Sequence, residues 1–139
     1  MGQTIRDLMQ TDLVQIEADR PITEAARLMR DQDVGDVLVT RAGELAGIVT
    51  DRDIVVRCLA AGENPADAKL ESVCSAQLAT LSPDDDSDEA VRLMEDKAVR
   101  RVPVVEGTTP VGIVSIGDLA RARDEASALG QISAAPPNR

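Results

Sequence analysis

The 139-residue sequence contains no phenylalanine, tyrosine, tryptophan or histidine, and each absence closes off a class of function. Without aromatic rings there is no platform for stacking unpaired bases, and a formal net charge of −10 opposes binding to phosphate backbones. No nucleic-acid partner is expected. Without imidazole there is no histidine-ligated metal site and no Ser-His or Cys-His nucleophile pair. The acidic run Asp84-Asp85-Asp86-Ser87-Asp88-Glu89 lacks the glycine and terminal glutamate of a calcium loop and reads as the acidic start of a helix. No metal is expected. The two cysteines, Cys58 and Cys74, fit neither a zinc spacing nor a disulfide framework, so reduced thiols in a cytoplasmic protein are the expectation. Apolar runs last only a few residues, too short to cross a bilayer. The first residues, Met1 to Asp7, show no charged-then-apolar signal segment. Scattered carboxylates and unpartnered thiols make no catalytic constellation, and no enzyme is expected.

What remains is 43% apolar and 29% charged residues, the balance of a folded domain, with a core of Val, Ile, Leu, Met and Ala. The sequence is also a duplication. Displaced by 65 positions, residues 5–54 lie over 70–119 without a gap, and 15 of the 50 pairs are identical, against roughly three by chance. Glu24-Ala25 meets Glu89-Ala90, Arg27-Leu28-Met29 meets Arg92-Leu93-Met94, Gly47-Ile48-Val49 meets Gly112-Ile113-Val114, and Asp53 meets Asp118.

Each copy reads as β-α-β-β-α. A short extended piece (Leu13–Ile16; Leu78–Leu81) passes through an Asp/Pro turn into a helix. The first helix carries Ile22, Ala25, Ala26 and Met29 at helical spacing, flanked by Leu28. The second carries Ala90, Val91, Leu93 and Met94, with Ser87 and Asp88 as N-cap candidates. Met29 and Met94 read as core. Two β-branched runs follow in each copy, Val37-Leu38-Val39 then Gly47-Ile48-Val49, and Val102-Pro103-Val104-Val105 then Gly112-Ile113-Val114. A last helix starts near Asp51 or Gly117, the first ending at Gly62, a natural C-cap. One such unit could barely bury its sheet face alone. The expected fold is mixed α/β (α+β), two repeats related by pseudo-twofold symmetry and packed sheet to sheet. The expected boundaries are repeat 1 at 4–62, a linker at 63–69, repeat 2 at 70–127 and a tail at 128–139 whose Ala/Pro-rich end starts near Gln131.

Candidate chemistry sits where the last strand of each copy meets the last helix, in Gly47-Ile48-Val49-Thr50-Asp51-Arg52-Asp53 and Gly112-Ile113-Val114-Ser115-Ile116-Gly117-Asp118. Outward-facing backbone N–H groups and a hydroxyl suit a phosphate there. An aspartate one turn later can accept from the vicinal hydroxyls of a ribose, and the glycine allows a flat base to approach the strand. Thr50-x-x-Asp53 and Ser115-x-x-Asp118 are equally readable as capping boxes; both readings stand.

The duplication, the Gly-hydrophobic-x-[Ser/Thr]-x-x-Asp motif in each copy and Arg100-Arg101-Val102-Pro103-Val104-Val105 together resemble the CBS domain family, over residues 4–127. Thr50 to Arg57 followed by Leu59-Ala60-Ala61-Gly62 is similar to stand-alone bacterial CBS pairs of the hypoxic response protein type. The resemblance implies a Bateman module, a non-catalytic regulatory protein that requires no cofactor. It implies AMP, ADP, ATP, NAD or S-adenosylmethionine in clefts between the repeats, and assembly as a homodimer. By motif, Thr50 and Ser115 would contact phosphate, and Asp53 and Asp118 would hold ribose. The base would lie near Ile16 and Val37 in one cleft and near Leu81, Val102 and Pro103 in the other. Where the second copy has Arg100-Arg101 the first has Gly35-Asp36; Arg101 would clamp a phosphate that Asp36 repels, and Arg100-Arg101 is equally readable as an exposed strand lead-in that pairs with the acidic surface. The Ser115/Asp118 cleft is therefore the expected anion site, with Arg52 open between a phosphate partner in the other cleft and a solvated helix-start residue. Output would pass to a protein partner or through the oligomer. The competing expectation is a ligand-independent dimerisation scaffold whose motifs are only caps.

Overall fold

The structure, a computed structural model, describes residues 3–76 and 79–125, the last three by backbone alone. The expected tail, the end of repeat 2 and Leu78 lie outside the described residues. The chain forms two compact units.

One unit comprises residues 14–76. Its sheet has the order β1 (Gln15–Glu17), β2 (Asp36–Arg41), β3 (Glu44–Thr50), with β1 parallel and β3 antiparallel to β2. Helix α2 (Ile22–Gln32) buries Ile22, Ala25 and Met29. Leu28 is half-buried, and Ala26, at the edge of the apolar stripe, is exposed rather than in the core. After β3 comes α3 (Asp51–Asp53), which continues without a break as a π-helical stretch, Ile54–Leu59. Gly62 N–H donates to Leu59 O and Glu63 N–H to Cys58 O at 3.1 and 3.0 Å, with Gly62 at φ +82°. Those paired bonds around a left-handed residue are a Schellman turn, so Gly62 stops the helix as expected. Residues 64–68 fold back over the start of α2, where Ile22 N–H donates to Ala68 O and Thr23 N–H to Pro65 O.

The other unit joins residues 3–13 to 79–125. It contains α1 (Ile5–Leu8), α4 (Ser87–Lys97), the antiparallel pair β4 (Arg101–Glu106) and β5 (Thr109–Ser115), and α5 (Ile116–Glu125). In place of a first strand there is an isolated parallel bridge from Leu81 to Val104. The α4 helix is capped by Asp86, whose carboxylate accepts from Asp88 N–H. Ser87 and Asp88, the expected caps, are instead its first two helical residues, because Asp86 just before them keeps the extended backbone of a cap and places its carboxylate on Asp88 N–H. The last helix likewise begins at Ile116, one residue before Gly117.

The 65-residue repeat persists in backbone detail. The bulge between Val39 and Thr40 recurs between Val104 and Val105. Left-handed residues end both first helices, Asp33 at φ 56° and Ala98 at φ 55°. Each unit has its own core. Ile22, Ala25, Met29, Val37, Val39, Val49 and Ile54 surround Leu70 in one. Leu81, Ala90, Met94, Val102, Val104, Val114 and Leu119 surround Ile5 in the other. Ile5 and Leu70 are equivalent positions, both fully buried. The opening turn of the chain thus plugs the core built mainly from the second half, and the opening turn of the second copy, the 3₁₀ turn Leu70–Ser72, plugs the core of the first.

Candidate functional site

Each strand-to-helix junction holds a complete capping box. In the first, Asp53 N–H donates to Thr50 Oγ1 at 3.0 Å and Thr50 N–H donates to Asp53 Oδ2 at 2.9 Å. In the second, Asp118 N–H donates to Ser115 Oγ at 3.1 Å and Ser115 N–H to Asp118 Oδ2 at 2.8 Å. The shorter aspartate closes the box as well as glutamate would, satisfying two helix-end donors reciprocally.

Capping does not use up these side chains. A hydroxyl that accepts one hydrogen bond still has its own proton to donate, and a carboxylate has a second oxygen. At this point the two junctions part. Asp53 is half-buried and its Oδ1 accepts no hydrogen bond among the described residues. Asp118 is only 7% exposed. Its Oδ1 accepts from Gln10 Nε2 at 3.0 Å and from an Arg121 guanidinium nitrogen at 2.5 Å.

The motif glycines are required by the chain itself. A Cβ at Gly47 would lie 2.7 Å from Ser75 O and 2.9 Å from Cys74 Sγ; one at Gly112 would lie 2.5 Å from Met9 Sδ. These segments are held close by reciprocal backbone bridges, Ile48 with Ser75 and Gln10 with Ile113. The close approach expected for a flat base is therefore occupied by the protein's own backbone and sulfur.

The other expected residues are placed around this frame. Val37 pairs with Val49, next to Thr50, and Val102 pairs with Val114, next to Ser115. Leu81 N–H donates to Pro103 O, and Ile16 lies opposite Val39. Val37, Val102 and Leu81 are buried in the two cores, Pro103 is also buried, and Ile16 is half-buried. The buried ones can offer a ligand backbone groups rather than side chains. Arg101 stands directly across the ladder from Ser115, as Asp36 does from Thr50. Arg52 is exposed. Cys58 is fully buried and Cys74 half-buried; burial pushes both thiols above their ordinary pKa, with Glu63 adding to the effect on Cys58. Sequence reasoning missed Gln10 and Arg121. The i,i+3 spacing of Asp118 and Arg121 was a usable signal, whereas nothing local ties Gln10 to a carboxylate 108 positions away. Among the described residues, no group of three metal-ligating side chains is present, and no helix is long and apolar enough to cross a membrane.

Two repeats of this fold, each ending its hairpin in a hydroxyl-x-x-Asp cap, define a CBS pair. The CBS domain is matched twice, at residues 5–59 and 70–125, and the chain belongs to that family, whose paired domains form a regulatory module. It is 36% identical over 117 residues to the CBS domain-containing protein YhcV of Bacillus subtilis, spanning 84% of this chain and 83% of YhcV. It is 34% identical over 119 residues to Hypoxic response protein 1 of Mycobacterium tuberculosis, spanning 85% and 83%. The crystal structure of Hypoxic Response Protein I, solved with two coordinated zinc ions, superposes with a TM-score of 0.79 over 86% of this chain and 98% of that one. The CBS domain pair of protein MJ0100, in complex with 5′-methylthioadenosine and S-adenosyl-L-methionine, superposes with a TM-score of 0.80 over 91% and 100%; at 22% identity it shows the shared fold.

Proposed function

We propose that this chain is a non-catalytic regulatory module that binds an adenosine nucleotide at its two hydroxyl-x-x-Asp motifs. The observation that carries this reading is the Oδ1 of Asp53, uncommitted among the described residues, beside a threonine hydroxyl that donates to none of them, in a cap already complete without either. A ribose hydroxyl donates to the former; a phosphate oxygen accepts from the latter and from the N–H groups of the helix start. Thr50 and Ser115 take the phosphate, Asp53 and Asp118 the ribose, and Arg101 adds charge beside Ser115. The base lies against the backbone near Ile16 and Val37, or near Leu81, Val102 and Pro103. The ligand class is AMP, ADP, ATP, NAD or S-adenosylmethionine, and none is required as a cofactor. The ligands of the MJ0100 pair are of this adenosine class.

Binding signals only if two conformations differ in affinity, so an output surface is needed. Val55, Val56 and Leu59 are exposed on the π-helical stretch of one unit. In the other unit, Val91, Val99, Ile116, Leu119 and Ala120 line an open groove of about 580 Å³ between α4 and α5. Ala120 is the duplicate of Val55, so both copies turn the same helix position outward, an arrangement that a second copy of this chain would cover as a homodimer. A further protein partner would read the assembly. The cytoplasm suits the module, since nucleotides are available there and thiols remain reduced.

The complete capping boxes favour one alternative, a dimerisation scaffold that binds nothing. Titration calorimetry of nucleotide-free protein with AMP, ADP, ATP, NAD and S-adenosylmethionine separates the two. Saturable binding abolished by the combined Asp53→Ala and Asp118→Ala changes is the expected result; no heat with any of the five establishes the scaffold.

A further inference from the structure

The two motifs share a backbone and differ in what lies over the carboxylate. Two substitutions between the copies account for the difference. The residue that bridges to the last strand is Gln10 over β5 and Ser75 over β3, each held by a reciprocal pair of backbone hydrogen bonds to the equivalent isoleucine, Ile113 or Ile48. From that fixed point the glutamine amide reaches Asp118 Oδ1 at 3.0 Å; the serine makes no bond to Asp53. One turn into the helix, the copies carry Arg121 and Val56. The arginine donates to the same Oδ1 at 2.5 Å and is only 28% exposed, while the valine has nothing to donate. Asp118 therefore presents no uncommitted oxygen, since Oδ2 is the cap acceptor and Oδ1 takes two donors. Among the described residues, Asp53 keeps Oδ1 open.

We propose that Gln10 and Arg121 form a latch on Asp118 that makes the second motif the weaker nucleotide site, so that the Thr50/Asp53 motif fills first. This rests on the nucleotide reading above. It reverses the order suggested by Arg101 alone, because a ribose reaching Asp118 must first displace a charge-assisted bond and a second donor. Displaced donors in a site with little exposure need new partners, so the exchange is close to neutral at best, whereas a ribose at Asp53 gains a bond that was previously made to water. Once released, Arg121 can turn toward a ligand phosphate. The second site then senses nucleotide over a higher concentration range than the first.

Because repeat 1 shows which residues the same backbone accepts, the test is a reciprocal exchange. AMP is titrated calorimetrically into the full chain, into Gln10→Ser/Arg121→Val, which removes the latch, and into Ser75→Gln/Val56→Arg, which copies it onto Asp53. Gln10→Ser alone is the milder variant, and thermal melting confirms folding of each. In the unaltered chain two phases are expected, the tighter lost in Asp53→Ala and the weaker in Asp118→Ala. Removing the latch should tighten the weaker phase about tenfold, the scale of one charge-assisted bond; copying it should weaken the tighter phase by a similar factor. The latch is overturned if AMP binds but Asp118→Ala removes the tighter phase, or if both phases are unmoved by latch removal. The absence of AMP heat in the unaltered chain and in every variant would overturn the nucleotide reading and the latch together. Binding that appears only after latch removal would overturn the proposed order of filling, since the unlatched Thr50/Asp53 motif would then have bound nothing.

Discussion

The two copies agree in the hairpin, the first long helix and the cap, and they disagree in the first strand, in the winding of the last helix and in the side chains that lie over the motif. Both place a bulge at the same point of the hairpin, end the first helix on a left-handed residue and close the same capping box. Yet Asp118 is enclosed by Gln10 and Arg121, and Asp53 is left with Ser75 and Val56. Cys74 lies against Gly47 where Met9 lies against Gly112, and Asp36 faces Thr50 where Arg101 faces Ser115. Duplication supplied one scaffold twice. Substitutions at a few covering positions then gave the copies different electrostatics and different access without disturbing the fold.

The comparison can be broken most severely at the two plugs. Ile5 and Leu70 are each fully buried, in different cores. Truncation to alanine should cost about 2–5 kcal/mol in either case, the lost transfer energy plus the residual cavity. The location of the damage distinguishes them: amide exchange should quicken in β4 and β5 for Ile5→Ala, and in β2 and β3 for Leu70→Ala. Faster exchange of β2 and β3 in Ile5→Ala would contradict the crossed arrangement.

Next in size is a contrast between glycines that are identical in sequence. At Gly47 an added methyl meets a backbone oxygen at 2.7 Å, which cannot move without opening the Ile48–Ser75 bridge; at Gly112 it meets the flexible thioether of Met9 at 2.5 Å. Gly47→Ala should destabilise by about 1–3 kcal/mol, as overpacking does, and Gly112→Ala by less, since methionine repacks readily. Denaturant melts of the pair measure the difference. Equal losses would mean that Met9 is as rigid as backbone.

The motif aspartates come third. Asp53→Ala removes a cap, worth about 1 kcal/mol. Asp118→Ala removes a cap and also leaves Gln10 and Arg121 without their acceptor, for a total of about 2 kcal/mol or more. Equal unfolding midpoints for the two variants would show that the bonds to Oδ1 contribute nothing to the resting fold.

Much of this was legible in the sequence, and what was hidden has a physical reason. Hydrophobic spacing and the repeat located the two long helices and the two hairpins, because burying Ile22, Ala25 and Met29 or Ala90 and Met94 is a local property of helical period. The short turns Ile5–Leu8 and Leu70–Ser72, by contrast, were not expected, and the extended piece at Leu81 forms only a bridge. The acceptor-rich caps were legible too, since Thr50-x-x-Asp53 and Ser115-x-x-Asp118 are short-range. The crossing of the opening turns was not. Ile5 and Leu8 match Leu70 and Val73 as apolar residues at one spacing, and either pair would fill either core. The latch escaped for a related reason: Gln10 looks like any polar residue after a short helix until the bridge to Ile113 directs it at Asp118. The motif glycines were assigned to a ligand because a sequence does not reveal that the chain returns over them.

The smallest expected effect separates the two thiols. Cys58 is fully buried and its S–H donates toward Glu63 O at 3.6 Å, the carbonyl that also follows the Schellman turn. Burial, and then the charge of Glu63, raise its pKa in the folded state. An acid whose folded pKa is raised binds its proton more tightly folded than unfolded. Its contribution is therefore fully present below the ordinary thiol pKa of about 8.5 and is lost as pH climbs from there through the folded value. Stability should fall on the alkaline side of neutrality, and Cys58→Ala should flatten that fall. Cys74, half-buried, is raised mainly by burial, with nearby Arg41 and Arg57 pulling the other way, so Cys74→Ala should flatten it less. Denaturant melts at several pH values above 8 measure both slopes. A steeper dependence on Cys74 than on Cys58 would place the ionising thiol at the open motif rather than under the helix.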